Sequence, residues 1–425
     1  MSAGLPLSHD DEGAEETPSH GWRDYITALG PGLISGASDN DPTTVATMSV
    51  LGATTVYGLS WLTILIFPML AAVQMISAQV GVVAKRGLQN AVSHVYGRGW
   101  GMVLLLSVLA VNVITIGADL EAGAAALGLI FHIAWKWFVI PFALIMLGIL
   151  LFGSYRLVQR VLKYALLVFA AYIVAAFLAH PNWSQVFQNT IEPHISLGKT
   201  YMQGALALLG TTLTSYAYVW ETIEEEEERT EITELGLAKA DAGFGMFFAV
   251  GIFWFILIAT GATLGVHHEQ VQTAQQAAEA LKPVAGPRAA DIFAVGLLAS
   301  SILAVPVLAA STAYITGSEF GWHRGISEKI SAAKQFYAVL IAAMMVAVVV
   351  SFVGISPIHL LFIAGIAGGI GTPISLSFLL VAARNRDLMG DHTIGGLLTS
   401  VGWLIVALVS AVSLYFLWSQ FGSSL

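Results

Sequence analysis

The chain has 425 residues, of which 56% are hydrophobic and 11% are charged, and its formal net charge is −9. Soluble domains carry roughly 25% charged residues, so this composition excludes a soluble protein. The sequence contains no Cys, which excludes disulfides, thiolate metal sites and a cysteine nucleophile.

The hydropathy pattern predicts an all-α polytopic membrane protein with about eleven transmembrane helices. A helix needs roughly 20 apolar residues to cross a bilayer, and short polar or Gly/Pro segments separate stretches of that length. Residues 1–22 are acidic and predict a disordered cytosolic tail, and residues 23–425 predict one transmembrane domain. The predicted spans are 26–51, 57–84, 101–130, 134–153, 157–180, 199–222, 239–266, 289–318, 331–353, 356–383 and 395–418.

The positions of the basic residues predict the orientation of these spans. If the N-terminus is cytosolic, all of the 18 Lys and Arg residues lie on the cytosolic side except Lys136, Lys199, Lys282 and Arg288. Cytoplasmic loops are enriched in Lys and Arg. We therefore expect a multi-pass protein of a cytoplasmic membrane, such as a bacterial inner membrane, with the N-terminus in the cytosol and the C-terminus outside.

Two acidic residues in the first span indicate a binding site. Asp39 and Asp41 lie in the segment GASDNDPTT at 36–44, where Asn40 and Pro42 disfavour a continuous helix. Unwound backbone at membrane depth occurs only where it lines a cavity or is buried in protein. Its free carbonyls and the two carboxylates would form an oxygen-rich cation site.

The sixth span has a similar interruption, and the third span carries another acidic pair. The segment GTTLTSYAY at 210–218 is small, hydroxylated and aromatic; it indicates either close helix packing or a broken helix. Paired interruptions in corresponding helices of inverted repeats point to a central site.

Asp119 and Glu121 of the third span are either a structural hydrogen-bonded pair or part of a proton path. The run Glu224–Glu228 is either a solvated helix end or a cation-attracting mouth.

Several motifs, taken in order along the chain, resemble those of the NRAMP metal-ion transporters. The resemblance implies a LeuT-type inverted-repeat fold with broken helices 1 and 6, repeats at 26–180 and 199–383, and an added helix at 395–418. Asp41 and Pro42 fall on the DP of the family's DPGN motif. The matching segments are GPGLISGASDNDPTTVAT at 30–47, LAAVQMISAQVG at 70–81, ADLEAG at 118–123, IFAVGLLAS at 292–300 and DLMG at 387–390.

The departures from the family pattern concern the ligands that the resemblance implies. Thr44 stands at the Asn of DPGN, Thr214 at the Met of the helix-six motif, and Gly365 at the helix-ten Gln. A thioether favours transition metals, so its replacement by a hydroxyl favours a harder, more hydrated ion. The pattern is similar to that of the NRAMP-related magnesium transporters.

The family's proton relay is also incomplete here. Asp119 matches the relay Asp, but Ala122 stands at the relay Glu, and Glu121 is one position early. One residue turns a side chain by about 100° around a helix. Tyr216 stands at the relay His, and Lys334 and Gln335 replace the basic pair, so we expect weak or absent proton coupling.

These features predict a secondary transporter that takes up a divalent metal cation, Mg2+ or Mn2+, by alternating access. The expected ligands are Asp41, Thr44, Asp39, Asn40, Thr211 and Thr214. Three alternatives stay open: transport of a non-metal solute by the same fold, proton-coupled import of a transition metal, and a channel or intramembrane enzyme. The expected partners are the cation as substrate and the lipid bilayer. We expect no enzymatic activity, cofactor or nucleic acid, and the oligomeric state stays open.

Overall fold

A computed structural model of the chain describes residues 40–152, 171–228, 230–267, 271–278, 286–326 and 328–421, and all regular structure in those residues is helical. Asp39, the tail at 1–22, the first part of the first span and most of the fifth span lie outside the described residues. Residues 171–178, at the end of the fifth span, are helical. The other described α-helices are α1 (Pro42–Thr55), α2 (Ser60–Ala84), α3 (Leu88–Tyr96), α4 (Arg98–Phe131), α5 (Lys136–Phe152), α6 (Trp183–Ile191), α7 (Lys199–Thr212), α8 (Ser215–Glu228), α9 (Leu235–Thr263), α10 (Ala274–Ala278), α11 (Ala289–Phe320), α12 (Lys334–Ser351), α13 (Pro357–Arg384), α14 (Arg386–Met389) and α15 (Gly396–Phe421).

The prediction of an all-α, multi-pass membrane protein is confirmed. In the described part of the chain, seven helices are long and apolar enough to cross a membrane, namely α2, α4, α9, α11, α12, α13 and α15. Each coincides with one predicted span to within a few residues. The fourth predicted span corresponds to the shorter apolar helix α5.

The sixth span is not a single straight helix, and in the described part of the first span residues 40 and 41 are not helical. Helix α1 begins at Pro42, which needs no backbone hydrogen-bond donor at the first helical position, and the Asp41 carboxylate caps it. The sixth span is divided into α7 and α8, with Leu213 and Thr214 between them. The sequence motif suggested an interruption spread over 210–218, whereas the structure confines the break to these two residues.

Helix α1 lies at the centre of the bundle. It packs against α9, α13 and α7 and also contacts α4 and α11. Helices α7 and α13 approach until their backbones touch: a Cβ atom on Gly210 would collide with the Gly365 carbonyl oxygen and with the Gly369 backbone. Glycine is therefore required at position 210, and the close packing brings α13 beside the break between α7 and α8.

The acidic run at the end of α8 is helical through Glu228, and one of its members is tied to neighbouring elements. The Glu226 carboxylate accepts a hydrogen bond from the Gly87 backbone N–H at 2.8 Å and pairs with Arg324 at 2.9 Å. One turn earlier, the Thr222 hydroxyl accepts from the Leu88 N–H at 2.9 Å. The interpretation of this run as a purely solvated helix end is therefore wrong for Glu226, which holds α8 against the start of α3 and the segment after α11.

Candidate functional site

The Asp41 carboxyl group is buried where α1 begins, with 2% of the residue exposed. Its Oδ1 atom accepts a hydrogen bond from the Thr44 backbone N–H at 2.7 Å. Its Oδ2 atom accepts one from the Tyr216 hydroxyl of α8 at 3.0 Å. The Asp41 carboxylate thus caps α1 and is also bonded to α8, the helix that follows the break after α7.

Hydroxyl groups join α1 to its other neighbours. The Thr44 hydroxyl lies 2.9 Å from the Thr211 hydroxyl of α7. The Thr43 hydroxyl donates to Asp119 of α4 at 3.1 Å. The Asn40 carbonyl accepts from the Ser300 hydroxyl of α11 at 2.5 Å. The start of α1 is therefore bonded to α4, α7, α8 and α11 within five residues of sequence.

The break after α7 brings backbone oxygens to the same place. A helix C-terminus ends in carbonyl groups that lack intrahelical partners and carries a partial negative charge. The Leu213 carbonyl accepts from the Thr372 hydroxyl of α13 at 2.7 Å. Thr214, in the break itself, is only 5% exposed. The negative end of α7 and the Asp41 carboxylate both favour a cation, whereas α1 and α8 begin at these breaks with their positive ends.

Five of the six residues expected as ligands lie at the start of α1 or at the break after α7, and four of them, Asn40, Asp41, Thr44 and Thr211, form hydrogen bonds there. Thr214 lies in the second break, and Asp39 lies outside the described residues. The sequence did not single out Thr43 and Ser300, which bond to Asp119 and Asn40, and it indicated Tyr216 only as the residue at the relay His, not as a bonding partner of Asp41. Both Thr43 and Ser300 fall inside motifs that the family resemblance covers, which was the available signal.

The two acidic residues of α4 face different surroundings. Asp119 is fully buried and accepts a hydrogen bond from the hydroxyl of Thr43, two residues after Asp41. Glu121 is also fully buried, but neither carboxylate oxygen has a hydrogen-bond partner among the described residues. Gly117, one turn before Glu121, packs against Val350 of α12. Glu121 and Asp119 therefore do not form the hydrogen-bonded pair that one interpretation of the sequence proposed.

The donor set at the breaks consists of carboxylate, hydroxyl and carbonyl oxygens. Among the described residues, no group of three or more His, Cys, Asp and Glu side chains could hold a metal ion together. Hard cations such as Mg2+, Mn2+ and Ca2+ favour oxygen donors, and Mg2+ usually keeps several of its waters. This arrangement can bind a hard, partly hydrated cation beside the Asp41 carboxylate.

Comparisons with known proteins agree with this architecture. The family model described as natural resistance-associated macrophage protein-like, Nramp, matches residues 32–419. A protein from Deinococcus radiodurans named divalent metal cation transporter MntH is 25% identical over 412 residues, which cover 95% of this chain and 92% of that protein. A manganese transporter from Eremococcus coleocola has a similar structure, with a TM-score of 0.75 and 18% identity over 95% of this chain and 88% of that one. The nucleobase-cation-symport transporter Mhp1 has a TM-score of 0.56 and 13% identity, covering 92% of this chain and 93% of that one.

The described helices, with the break between α7 and α8 beside the start of α1, form a multi-pass membrane bundle of the LeuT-type fold. The family match extends over nearly the whole chain. This chain belongs to the Nramp family.

Proposed function

We propose that this protein is a secondary transporter that takes up a divalent metal cation, Mg2+ or Mn2+, by alternating access. The observation that carries the proposal is the buried Asp41 carboxylate at the meeting point of α1, α7 and α8. An ionised group inside a membrane bundle is costly, so its presence at two helix breaks favours a binding function. Asp41 is the principal ligand, and Asp39, Asn40, Thr44, Thr211 and Thr214 contribute oxygen atoms directly or through water.

The choice of a hard ion rests on the chemistry of these groups. The Thr44 and Thr211 hydroxyls lie 2.9 Å apart beside Asp41, and Thr214 stands where the family resemblance places a Met. Hydroxyls and water suit Mg2+ and Mn2+, whereas a thioether suits softer metals. The similarity to a divalent metal cation transporter and to a manganese transporter supports a divalent cation.

Transport requires that the two halves of the bundle separate on one side at a time. On the side where α8 ends, the Glu226 contacts to Gly87 and Arg324 hold the bundle together, and the contact between Thr222 and Leu88 adds to them. We propose that this side faces the cytosol, because cytoplasmic loops are enriched in Lys and Arg and most of the Lys and Arg residues lie on this side. We infer that these contacts break when the cation is released inward.

Proton coupling is weak or absent in this proposal. A proton relay needs successive groups, or waters between them, within hydrogen-bonding distance, roughly 3 Å. Asp119 reaches the Asp41 segment through Thr43, but beyond Asp119 the next acidic residue, Glu121, has no hydrogen bond to it. The group bonded to Asp41 is the Tyr216 hydroxyl, which does not take up an additional proton near neutral pH as a histidine does.

The test is flux into liposomes that contain the purified protein, measured separately with Mg2+, Mn2+, Ca2+ and Cd2+, together with binding calorimetry. We expect saturable flux of Mg2+ or Mn2+ that Asp41→Asn removes. The exposed residue Asp291 offers a matched control, and Asp291→Asn should transport at the wild-type rate. Flux that does not saturate would indicate a channel, and the absence of flux and of binding for all four ions would indicate a non-metal substrate.

A further inference from the structure

The hydroxyl groups of α1 divide into two sets according to their hydrogen bonds. Ser49, Thr54 and Thr55 each donate to the carbonyl four residues earlier, at 2.8 Å. This bond within the helix is the usual way to satisfy a buried hydroxyl. Thr43 and Thr44 instead bond to Asp119 and Thr211 on neighbouring helices. The hydroxyls near the start of α1 are thus directed outward from their own helix.

Thr47 belongs to neither set. Thr47 is fully buried, yet its hydroxyl oxygen has no hydrogen-bond partner among the residues that the structure describes. A buried polar group without a partner costs about 1–3 kcal/mol. The bond within the helix, which three other residues of α1 form, is not made. An unsatisfied hydroxyl at this position therefore indicates a partner that binds during the transport cycle.

The surroundings of Thr47 show where such a partner would lie. Thr47 is one turn beyond Thr44, so its side chain lies on the same side of α1. Gly365 of α13 packs close to Thr47: a Cβ atom on Gly365 would lie 3.1 Å from the Ala207 carbonyl oxygen, 3.4 Å from the Thr47 hydroxyl and 3.6 Å from the Thr211 Cβ. The Thr47 hydroxyl therefore lies at the junction of α1, α7 and α13, next to Thr211.

We propose that the Thr47 hydroxyl, beside Thr211 and Gly365, accepts a hydrogen bond from a water molecule of the hydrated cation. Waters bound to a divalent cation direct their hydrogens outward, so the groups around them must offer lone pairs, and a hydroxyl offers two. The position is roughly 4.5 Å along the helix axis from Thr44, so Thr47 lies one turn beyond the ligands proposed at the start of α1. Thr47 is thus a positioning residue for the ion's hydration shell, and this role rests on the proposed function.

The test compares Thr47→Val with Thr47→Ser. Valine keeps the shape of the side chain and removes the hydroxyl, whereas serine keeps the hydroxyl and removes a methyl group. The matched control is Thr63→Val, since Thr63 is equally buried and donates only to the Leu59 carbonyl, at 3.2 Å. The measured quantities are the half-saturating concentration and the maximal rate of Mg2+ and Mn2+ flux in liposomes, and the melting temperature of each variant.

We expect Thr47→Val to raise the half-saturating concentration about tenfold, the effect of one hydrogen bond to a charged assembly, with a maximal rate within about twofold of wild type. Thr47→Ser should restore the wild-type value, and Thr63→Val should not change it. An unchanged half-saturating concentration in Thr47→Val, with or without a lower melting temperature, would show that the hydroxyl is only structural. Failure of Thr47→Ser to restore binding would assign the effect to the methyl group. If the wild-type protein carries neither ion, the proposed function fails and this inference fails with it.

Discussion

Replacement of Asp41 separates the two roles that the structure gives to its carboxylate. One role is structural, because Oδ1 caps α1 through the Thr44 N–H at 2.7 Å. The other is electrostatic, because the group is 2% exposed and is the acidic side chain at the meeting point of α1, α7 and α8. Asp41→Asn keeps an oxygen for the cap, since Asn caps helices about as well as Asp. It removes the charge, and it replaces the oxygen that accepts from the Tyr216 hydroxyl by an amide N–H group.

The charge contributes a large part of the expected affinity. Two unit charges about 4 Å apart attract by about 4 kcal/mol at an effective dielectric constant of about 20. A divalent ion doubles this value, and loss of water from the ion and the carboxylate offsets part of it. A net loss of about 4 kcal/mol in Asp41→Asn corresponds to about a thousandfold weaker binding.

Asp41→Ala removes both the charge and the cap. We expect the same loss of cation binding and an additional loss of stability of about 1 kcal/mol, the usual effect of removing an N-cap side chain. Asp41→Asn should therefore melt close to the wild-type temperature, and Asp41→Ala a few degrees lower. The difference between the two variants measures the cap alone.

The assay is calorimetric titration of the purified protein with Mg2+ and Mn2+, accompanied by liposome flux and by a melting curve for each variant. Binding by Asp41→Asn within tenfold of wild type would refute the assignment of Asp41 as the principal ligand. A large loss of stability in Asp41→Asn would show that the hydrogen bond from Tyr216 to the charged carboxylate, at 3.0 Å, matters more for folding than for binding.

Three further predictions concern the residues around Asp41. Thr214→Met should raise Cd2+ or Mn2+ binding relative to Mg2+, because a thioether favours softer metals, and competition between these ions in calorimetry measures the change. Tyr216→Phe should lower the half-saturating cation concentration up to about tenfold, since the hydroxyl no longer competes for the Asp41 oxygen. Asp119→Asn and Glu121→Gln should leave the interior pH of liposomes unchanged during cation flux, as in the wild-type protein, measured with a pH-sensitive dye while K+ and valinomycin set the voltage.

Each of these has an outcome that contradicts it. An unchanged ion preference in Thr214→Met would mean that residue 214 does not face the ion. Weaker binding in Tyr216→Phe would make the hydroxyl a ligand rather than a competitor. Acidification that depends on the cation in the wild-type protein, and that disappears in Asp119→Asn or Glu121→Gln, would establish proton coupling.

The apolar spans and the positions of the helix breaks could be predicted from the sequence, because they depend on local chemistry. The apolar spans are visible in composition alone, because every transmembrane helix must be apolar over a fixed length. The start of α1 at Pro42 and the break after Thr212 were visible as helix-breaking or hydroxylated segments. The exact width of the second break was not visible in the sequence. Residues 210–212 have poor helical propensity, but they belong to α7, which packs closely against α13 at Gly210.

The sequence by itself determined that this is a membrane bundle with a buried carboxylate at position 41 in an interrupted helix. Helix propensity, proline and hydropathy act within a few residues, so they can be read along the chain. Only the tertiary structure decided that the Tyr216 hydroxyl of α8 bonds to that carboxylate and that the Thr43 hydroxyl links α1 to Asp119. It also decided that Glu121 bonds to neither Asp41 nor Asp119 and that Glu226 is paired with Arg324. These contacts join residues far apart in sequence, and they depend on how each helix is rotated about its axis, which the packing of the whole bundle sets.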